Sequence, residues 1–481
     1  MLGTWRSHAE YQRFLVDALM EISAYNPESL EHFRTTILKL HSLNLDSIKT
    51  DFEERFSSTG RPSNFQPEMF RSFVLMSDQK VADIDEWRKI AISTPIFCAL
   101  IGVEPQDFPG ASTLRDFISR LWLEDATERV KTVEPKPKEK HGKNKQPPKN
   151  PGIIKELTDK ALNGATFDEI PERLLQTLFA KVAVQPSIRA GLIDNPDKLV
   201  LSGDGTPVKS NASPRGKATD SPEQRRFADP QARWLWDSYH EQWLYGHMAY
   251  IFSTNNPELK LDLPLYLRFT QTSSFDGVTL IEALAHFRSL YDNVFNIDRL
   301  LLDSAHDNYA TYSLLHSWNI LPFIDLNPRA SGQPQSQTLR LSQRGAPICA
   351  DGYDMVNWGF DSKKFRIKYR CPLVVGTVKS CPYAPQCNNS LYGKIVYVRL
   401  ADDLRLLTPV PRNTDEWKQT YKRRSASERV NNRILTDYQL ERPKRYGKKK
   451  LSFFAFMNAI NVHLDAQVKH GVLTLDAILV V

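Results

Sequence analysis

The first part of the chain carries apolar residues at helical spacing. Stretches such as "EMFRSFVLM" and "TLRDFISRLW" repeat apolar side chains every three or four positions, and Pro and Gly divide the pattern into short pieces. The pattern predicts an all-helical N-terminal domain over residues 1–130. Compact helical domains of this kind often bind DNA, and a plain packing module is an equally good interpretation.

A Lys- and Pro-rich stretch follows. Residues 131–151 contain seven Lys and five Pro, so the segment has no apolar face to bury. It is predicted to be a linker that marks the main domain boundary. The helical pattern of residues 152–197 is interpreted as connecting helices that lead into the next domain.

From residue 198 onward the periodicity becomes strand-like. Three apolar stretches, "KLVLSGDG", "QWLYGHMAYIFST" and "LPLYLRFTQTS", precede a helical one, "GVTLIEALAHFRSLYDNV". A strand ending at Leu302, a helix over 308–318 and a strand in "ILPFIDLN" come next. Three antiparallel strands followed by alternating helix and strand predict an α/β fold with a mixed sheet over residues 198–329.

Residues 330–415 alternate again in short strand-like runs and are predicted to form a β-rich insertion. Four of the five cysteines fall inside it: Cys349, Cys371, Cys381 and Cys387. A structural Zn²⁺ bound by these four thiols is one interpretation. The gaps lack the close Cys-x₂-Cys pairs of zinc fingers, so ordinary buried thiols are the other.

Two aspartates stand where buried strands are predicted to end. Asp204 lies between two glycines, and Asp303 follows Leu302. If the strands are neighbours, both carboxylates emerge at one edge of the sheet and can share Mg²⁺. Each residue also has a plainer interpretation, an Asp-Gly turn for Asp204 and a helix N-cap for Asp303, for which Asp307 competes.

Positive charge is concentrated near the C-terminus. Residues 421–450 hold eleven Lys or Arg against three acids, whereas the whole chain has a net charge of +7. Such concentration is typical of a site for a polyanion, although a solvated charged helix has the same composition. Within it, Tyr421, Arg424 and Glu428 have the spacing i, i+3, i+7 and are predicted to share one helical face. The plain interpretation of Glu428 is a surface ion pair.

Three segments in order, "LVLSGDGTP", "LLLDSAHDNYATYSLLHSWNILPFIDLN" and "YKRRSASERVNNR", resemble bacterial insertion-sequence transposases of the DDE superfamily, whose catalytic core is RNase H-like, as in retroviral integrases. The third segment resembles the Y-R-E-K signature of one cut-and-paste group at Tyr421, Arg424 and Glu428. That group has a Lys seven residues after the Glu, where this chain has Leu435, with Arg433 nearby. Several transposases of this superfamily carry a β-rich insertion at the same place.

The resemblance implies cutting of double-stranded DNA at terminal inverted repeats and joining of the 3′ ends to target DNA. It makes Asp204, Asp303 and Glu428 the expected catalytic residues, holding two Mg²⁺ or Mn²⁺ ions on a core completed by the C-terminal helix and basic tail of residues 416–481. Cutting two ends implies at least a homodimer on DNA. The expected DNA contacts are Tyr421, Lys422, Arg423, Arg424 and Arg433.

Composition adds limits of its own. The chain has 481 residues, 41% of them hydrophobic and 25% charged, with no apolar run of membrane-spanning length and few cysteines. A cytoplasmic, nucleoid-associated protein without a membrane partner is therefore expected. Two alternatives to an active transposase stay open: a catalytically inert, transposase-derived DNA-binding regulator, and a stand-alone nuclease with the same core.

Overall fold

The computed structural model describes the chain except residues 26, 125–126, 133–151, 238–240, 272–275, 328–339, 343–344, 388–389, 443 and 480–481. The α-helices are α1 His8–Tyr25, α2 Pro27–His32, α3 Arg34–Ser42, α4 Lys49–Glu53, α5 Gln66–Asp78, α6 Ile84–Ser93, α7 Pro95–Ile101, α8 Ala111–Arg120, α9 Ile153–Leu162, α10 Arg173–Phe179, α11 Gln185–Arg189, α12 Asp276–Leu290, α13 Tyr309–Ser317, α14 Pro372–Val375, α15 Ala384–Cys387, α16 Asp415–Lys422, α17 Ser425–Asn432, α18 Lys448–His470 and α19 Leu475–Leu479.

The strands are β1 Val130–Thr132, β2 Leu199–Lys209, β3 Lys217–Ala218, β4 Gln224–Arg226, β5 Arg233–Asp237, β6 Gln242–Asn256, β7 Leu261–Gln271, β8 Ile297–Leu302, β9 Leu321–Ile324, β10 Val356–Asp361, β11 Arg366–Arg370 and β12 Ile395–Arg399. Most of the predicted linker, residues 133–151, lies outside the described residues, and its first two residues belong to β1. No helix in the described part of the chain is both long and apolar enough to cross a membrane.

A six-stranded mixed sheet forms the centre of the fold. Its strands run in the order β7–β6–β2–β8–β9; the first three are antiparallel to their neighbours, and β8 and β9 are parallel to β2. Strands β5 and β7 both pair with β6 on the side opposite β2, one after the other along β6. Gly246 of β6, for example, pairs with Lys209 of β2 on one side and with Arg233 of β5 on the other. The predicted α/β fold with an RNase H-like mixed sheet is confirmed.

Helices cover both faces of this sheet. Asp204 and Gly205 are consecutive residues of β2 and face opposite sides of the sheet, because the side chains of a strand alternate between its faces. The space beside Gly205 is taken by Asp276 at the start of α12, and the carboxylate of Asp204 accepts a hydrogen bond from Asn431 of α17. Helices α12 and α17 therefore flank opposite faces at the same point of the sheet, where the candidate site lies.

Helix α18 joins the N-terminal helices to the sheet. It is almost entirely buried and packs on α3 and α5 on one side and on β7 on the other. Asn461 donates a hydrogen bond to the backbone oxygen of Val74, while His463 contacts the oxygen of Pro264. The predicted all-helical N-terminal region is present, and its hydrophobic core is continuous with that of the sheet.

The segment between β9 and α16 forms a smaller unit. Strands β10, β11 and β12 make an antiparallel sheet with its own small core. Arg405 ties this unit to the larger sheet, because its guanidinium donates two hydrogen bonds, of 2.8 and 2.5 Å, to the buried carboxylate of Asp307. Asp307 therefore has a structural role and does not cap the helix that follows it, which Asn308 caps.

Candidate active site

Asp204 does not stand at the end of its strand. Strand β2 runs on to Lys209, and Asp204 is paired with Ile251 of β6. The pairing with β8 stops at Ser202, however, so Asp204 lies where the parallel neighbour has already ended. The predicted turn is thus wrong, since the two glycines beside Asp204 lie within a strand, but the carboxylate still emerges at the sheet edge where β8 ends.

Asp303 is the first residue after β8 and reaches the same place. Its Oδ1 accepts hydrogen bonds from the backbone of Ala305 at 3.0 Å and from Nδ1 of His306 at 2.6 Å. The bond to Ala305 makes Asp303 the N-cap of a short 3₁₀ turn, as the plainer interpretation had it. Both bonds use Oδ1, so capping leaves Oδ2 for a ligand.

The charge of Asp303 acts on Asp204. Burial, and next the charge of Asp303, raise the pKa of Asp204 to about 7, although Arg424 and His306 oppose the rise. Burial also raises the pKa of Asp303, but the hydrogen bond and charge of His306 outweigh it and hold that pKa below its ordinary value. At neutral pH the site holds one fixed negative charge and a second that is easily protonated.

His306 is fixed from both sides. Its ring is fully buried, with Nδ1 on Asp303 and Nε2 3.0 Å from the hydroxyl of Tyr250. Tyr250 is itself buried on β6. This chain of contacts holds the Asp303 carboxylate in one orientation, as outer-shell partners do for metal-binding carboxylates.

A third carboxylate, Asp276, was not anticipated from the sequence. A Cβ added to Gly205 would overlap its oxygen Oδ1, so the carboxylate lies against the backbone of β2 next to Asp204. Burial is the largest effect on the pKa of Asp276 and raises it. The charge of His306 lowers this pKa and the charge of Asp303 raises it, and the result lies above the ordinary value. The signal in the sequence was the second glycine of "GDG", whose lack of a side chain makes room for this contact.

The segment carrying the Y-R-E residues is broken into two helices. Helix α16 ends at Lys422 and α17 begins at Ser425, so the predicted single helical face is wrong. Tyr421, Arg424 and Glu428 are nevertheless neighbours: Nη2 of Arg424 lies 2.6 Å from Oε1 of Glu428, and its guanidinium lies 5.9 Å from the centre of the Tyr421 ring.

Arg424 connects this segment to the aspartates. Its charge lowers the pKa of both Asp204 and Asp303, whereas the side chain of Glu428 is 58% exposed and bound to Arg424. Across the described residues, no three His, Cys, Asp or Glu side chains are already gathered closely enough to hold a metal ion. The structure places Asp204 and Asp303 at one edge of the sheet, with Asp276 close by on the α12 side of β2, and leaves Glu428 paired with Arg424.

The other expected DNA contacts differ in exposure. Lys422 is exposed, and Tyr421 is half-buried, stacked 4.5 Å from Trp417. Arg423 is bound to Asp194 at 2.9 Å, and Arg433 is bound to Asp465 at 2.7 Å.

The four clustered cysteines converge on one cavity. Cys349, Cys371, Cys381 and Cys387 all line a space of about 90 Å³ in the small β unit, and all four are partly exposed. The fifth, Cys98, is buried among the N-terminal helices.

Comparison with known proteins gives little further guidance. No family model matches the chain, and no curated protein matches it. Among solved structures it is similar to the Drosophila P element transposase strand transfer complex at 10% identity, over 90% of this chain and 89% of that one, with a TM-score of 0.20. The strand order β7–β6–β2–β8–β9, with β8 and β9 parallel to β2, is what defines the sheet as RNase H-like.

Proposed function

We propose that this chain is a DNA transposase that cuts at the terminal inverted repeats of an insertion sequence and joins the 3′ ends to target DNA. The observation that carries the proposal is the meeting of Asp204 and Asp303 where β8 ends beside β2 in an RNase H-like sheet. A carboxylate whose pKa is raised by burial and by a second carboxylate, as that of Asp204 is, is a favourable site for a divalent cation, because the cation offsets the repulsion.

The donor set suits Mg²⁺ or Mn²⁺. Asp204 and Asp303 offer hard carboxylate oxygens, and Glu428 would be the third ligand after turning away from Arg424. Two bound ions would supply an activated water or 3′-hydroxyl and charge stabilisation for the leaving oxygen. Asp276 is a second candidate for the third carboxylate, because its charge acts on Asp204 and the charge of Asp303 acts on it.

The protein's own groups would orient the substrate. His306 and Tyr250 hold Asp303 in place. Arg424, once released by Glu428, is available to a phosphate next to the reacting one, and the exposed Lys422 would contact the strand further along. Leu435 stands where the resembling group has a Lys, and Arg433 is engaged by Asp465, so Arg424 is the better candidate for the phosphate contact.

A second surface suits DNA. Trp234, Trp236, Trp243 and Tyr245 lie on one face of the β5–β6 hairpin, and the three tryptophans are each at least half exposed. This is the face of β6 to which Ile251, the partner of Asp204, also belongs, and Trp243 is about 27 Å from Ile251 along the strand. Aromatic side chains near cations stack on the bases of unpaired strands.

Cations flank this hairpin. The small sheet β1–β4–β3 pairs Lys131 with Arg225 and Lys217 with Arg226, and the charges of Lys131 and Arg233 act on each other. The aromatic hairpin face and this basic sheet together would hold DNA running away from the aspartates. A homodimer would then present two such surfaces to the two element ends.

The test uses DNA carrying the terminal repeats that flank the gene, with Mg²⁺, and measures cleavage and strand transfer on end-labelled fragments. Asp204→Asn, Asp303→Asn and Glu428→Gln should each reduce cleavage by orders of magnitude while DNA still binds. Asp415→Asn, a carboxylate 89% exposed on the preceding helix, is the matched control and should cleave normally. A parent protein that binds the repeats but never cuts them would instead favour the inert regulator, and cutting without joining would favour the nuclease.

Asp276→Asn separates the two candidates for the third carboxylate. If Glu428 is the ligand, Glu428→Gln abolishes cleavage and Asp276→Asn reduces it only modestly. The opposite ranking would assign the role to Asp276.

A further inference from the structure

The small β unit contains a segment that its own packing does not explain. Residues 371–394 connect β11 to β12, and the part of this segment that the structure describes, all but residues 388–389, contains two four-residue helices as its regular structure. Several of the larger apolar side chains in this segment are exposed: Leu391 by 93%, Tyr392 by 67% and Val374 by 41%.

The hydrophobic core of the unit lies elsewhere. It consists of Ala346, Met355, Ile367, Tyr369, Val398, Leu400 and Leu407, none of which belongs to the connecting segment. Ordering a residue costs roughly 1–2 kcal/mol of conformational entropy. A connection of this length with no share in a core needs another source of stability, and small units commonly use a disulfide or a metal ion.

We propose that the cavity lined by Cys349, Cys371, Cys381 and Cys387 is a structural Zn²⁺ site. Four thiolates are a complete tetrahedral donor set for zinc, with no position left for catalysis. The site is separate from the aspartates and does not depend on the proposed function.

The four cysteines differ in how their backbone is held by hydrogen bonds. Cys349 donates its N–H to the oxygen of Tyr353 at 2.9 Å, and Cys371 donates its N–H to that of Lys394 at 3.0 Å, so both stand on paired chain next to the small sheet. Cys371 stands at the first position of the connecting segment, whereas Cys381 and Cys387 lie in its interior, and Cys387 closes a single helical turn on Tyr383.

This division indicates what binding would do. The thiols share a cavity but are not yet within ligand distance of a common ion. The ion would draw Cys381 and Cys387 onto Cys349 and Cys371, and the free energy of binding would become folding free energy of the segment.

The experiment uses the full chain purified without chelators and measures its metal content by mass spectrometry. About one zinc ion per chain is expected. Cobalt exchanged into the site should show thiolate-to-cobalt charge transfer and the absorption of tetrahedral Co²⁺. Cys381→Ser and Cys387→Ser should lose the metal, whereas the control Cys98→Ser, which removes the buried thiol outside the cavity, should retain it.

Limited proteolysis gives an independent readout. Chelation should expose residues 371–394 to cleavage while the larger sheet stays protected. If a serine variant fails to fold, cobalt titration of the parent chain still decides the question. Parent protein with no bound zinc and no thiolate–cobalt band, or four thiols found paired in two disulfides, would overturn the proposal, and neither result would bear on DNA cleavage.

Discussion

At the scale of single residues, the environment of Asp204 disfavours its charged form and so lowers the stability of the folded protein at high pH. It is partly buried, next to Asp303 and close to Asp276. A folded-state pKa of about 7 lies above the ordinary unfolded value of ~3.9, so the folded protein binds the proton more tightly. Stability therefore falls as the pH rises through that window, and the full cost is present above it.

Replacing Asp204 with Asn should consequently stabilise the metal-free protein while abolishing cleavage. Asn removes the buried charge and can still accept the hydrogen bond of Asn431. We expect a gain of roughly 1–2 kcal/mol in the free energy of unfolding at about pH 8, measured with urea, that disappears near about pH 4. An equal or lower stability of the variant at high pH would show that the charges are already compensated.

The contact between Gly205 and Asp276 can be tested by a double substitution. Gly205→Ala should lower the free energy of unfolding by roughly 1–3 kcal/mol, because the new methyl group displaces the Asp276 carboxylate. Combining it with Asp276→Ala should restore most of that loss, as two groups in direct contact are not additive. Additive losses in thermal unfolding would argue that the two residues do not meet.

The sequence predicts this part of the site only in part. The strand pattern and the end of the "LLL" run were enough to place Asp204 and Asp303 together. Asp276 is the first residue of α12, and its position depends on how closely α12 approaches Gly205, which no periodicity encodes. The spacing of Tyr421 and Glu428 suggested one helical face because nothing in "YKRRSASER" indicates the break before Ser425.

At the scale of elements, the β5–β6 hairpin combines strand geometry with unusual exposure. Trp236 and Trp243 are cross-strand partners whose ring centres lie 5.6 Å apart, yet they are 50% and 65% exposed. A pair at the end of a two-stranded extension contributes little to the core. Exposed tryptophans at this position are typical of a binding surface and are not needed for the packing of the core.

Replacing both Trp236 and Trp243 with Ala should weaken binding of single-stranded and frayed-end DNA, by about 1–3 kcal/mol per stacked base lost, with unfolding unchanged. The measurement is fluorescence anisotropy of labelled oligonucleotides over a range of salt. Trp358→Ala, which removes a tryptophan of similar exposure from β10, is the control. A double variant that binds DNA normally but no longer self-associates would identify the surface as a contact between copies of the chain.

At the scale of the whole molecule, one buried carboxylate ties distant segments together. Asp229 Oδ2 lies 2.9 Å from His247 of β6 and accepts hydrogen bonds from Ser210 at 2.6 Å and from the backbone of Gly447, before α18, at 2.9 Å. Burial alone would raise the pKa of Asp229, but these hydrogen bonds and the charge of His247 lower it to about 2.

This linkage predicts a specific acid sensitivity. A folded-state pKa below the unfolded value adds stability above about pH 4 that is lost as the pH falls towards about 2. Asp229→Asn should therefore reduce the free energy of unfolding by about 1–3 kcal/mol at neutral pH, with a smaller difference at about pH 3. The exposed Asp220→Asn is the control, and a difference that does not change with pH would contradict the assignment.

The continuous core has a second effect at this scale. Because α18 contributes to the packing of α5 as well as β7, the helical region and the sheet should unfold in one transition, seen together by tryptophan fluorescence and far-ultraviolet dichroism. An isolated fragment of residues 1–130 should not fold stably. Helical periodicity indicated the N-terminal helices correctly, but it could not show that their core is completed by a helix more than 300 positions away.

The small β unit leaves and rejoins the larger sheet at nearly one point. Phe323 of β9 and Trp417 of α16 stack with ring centres 6.2 Å apart, although the whole unit lies between them in the chain. When the two ends of an insertion lie close together, the length and sequence of the insertion can change while the parent domain keeps its geometry. Related chains with the same aspartates are therefore expected to differ most here, and this junction is where a reporter domain could be spliced into the protein.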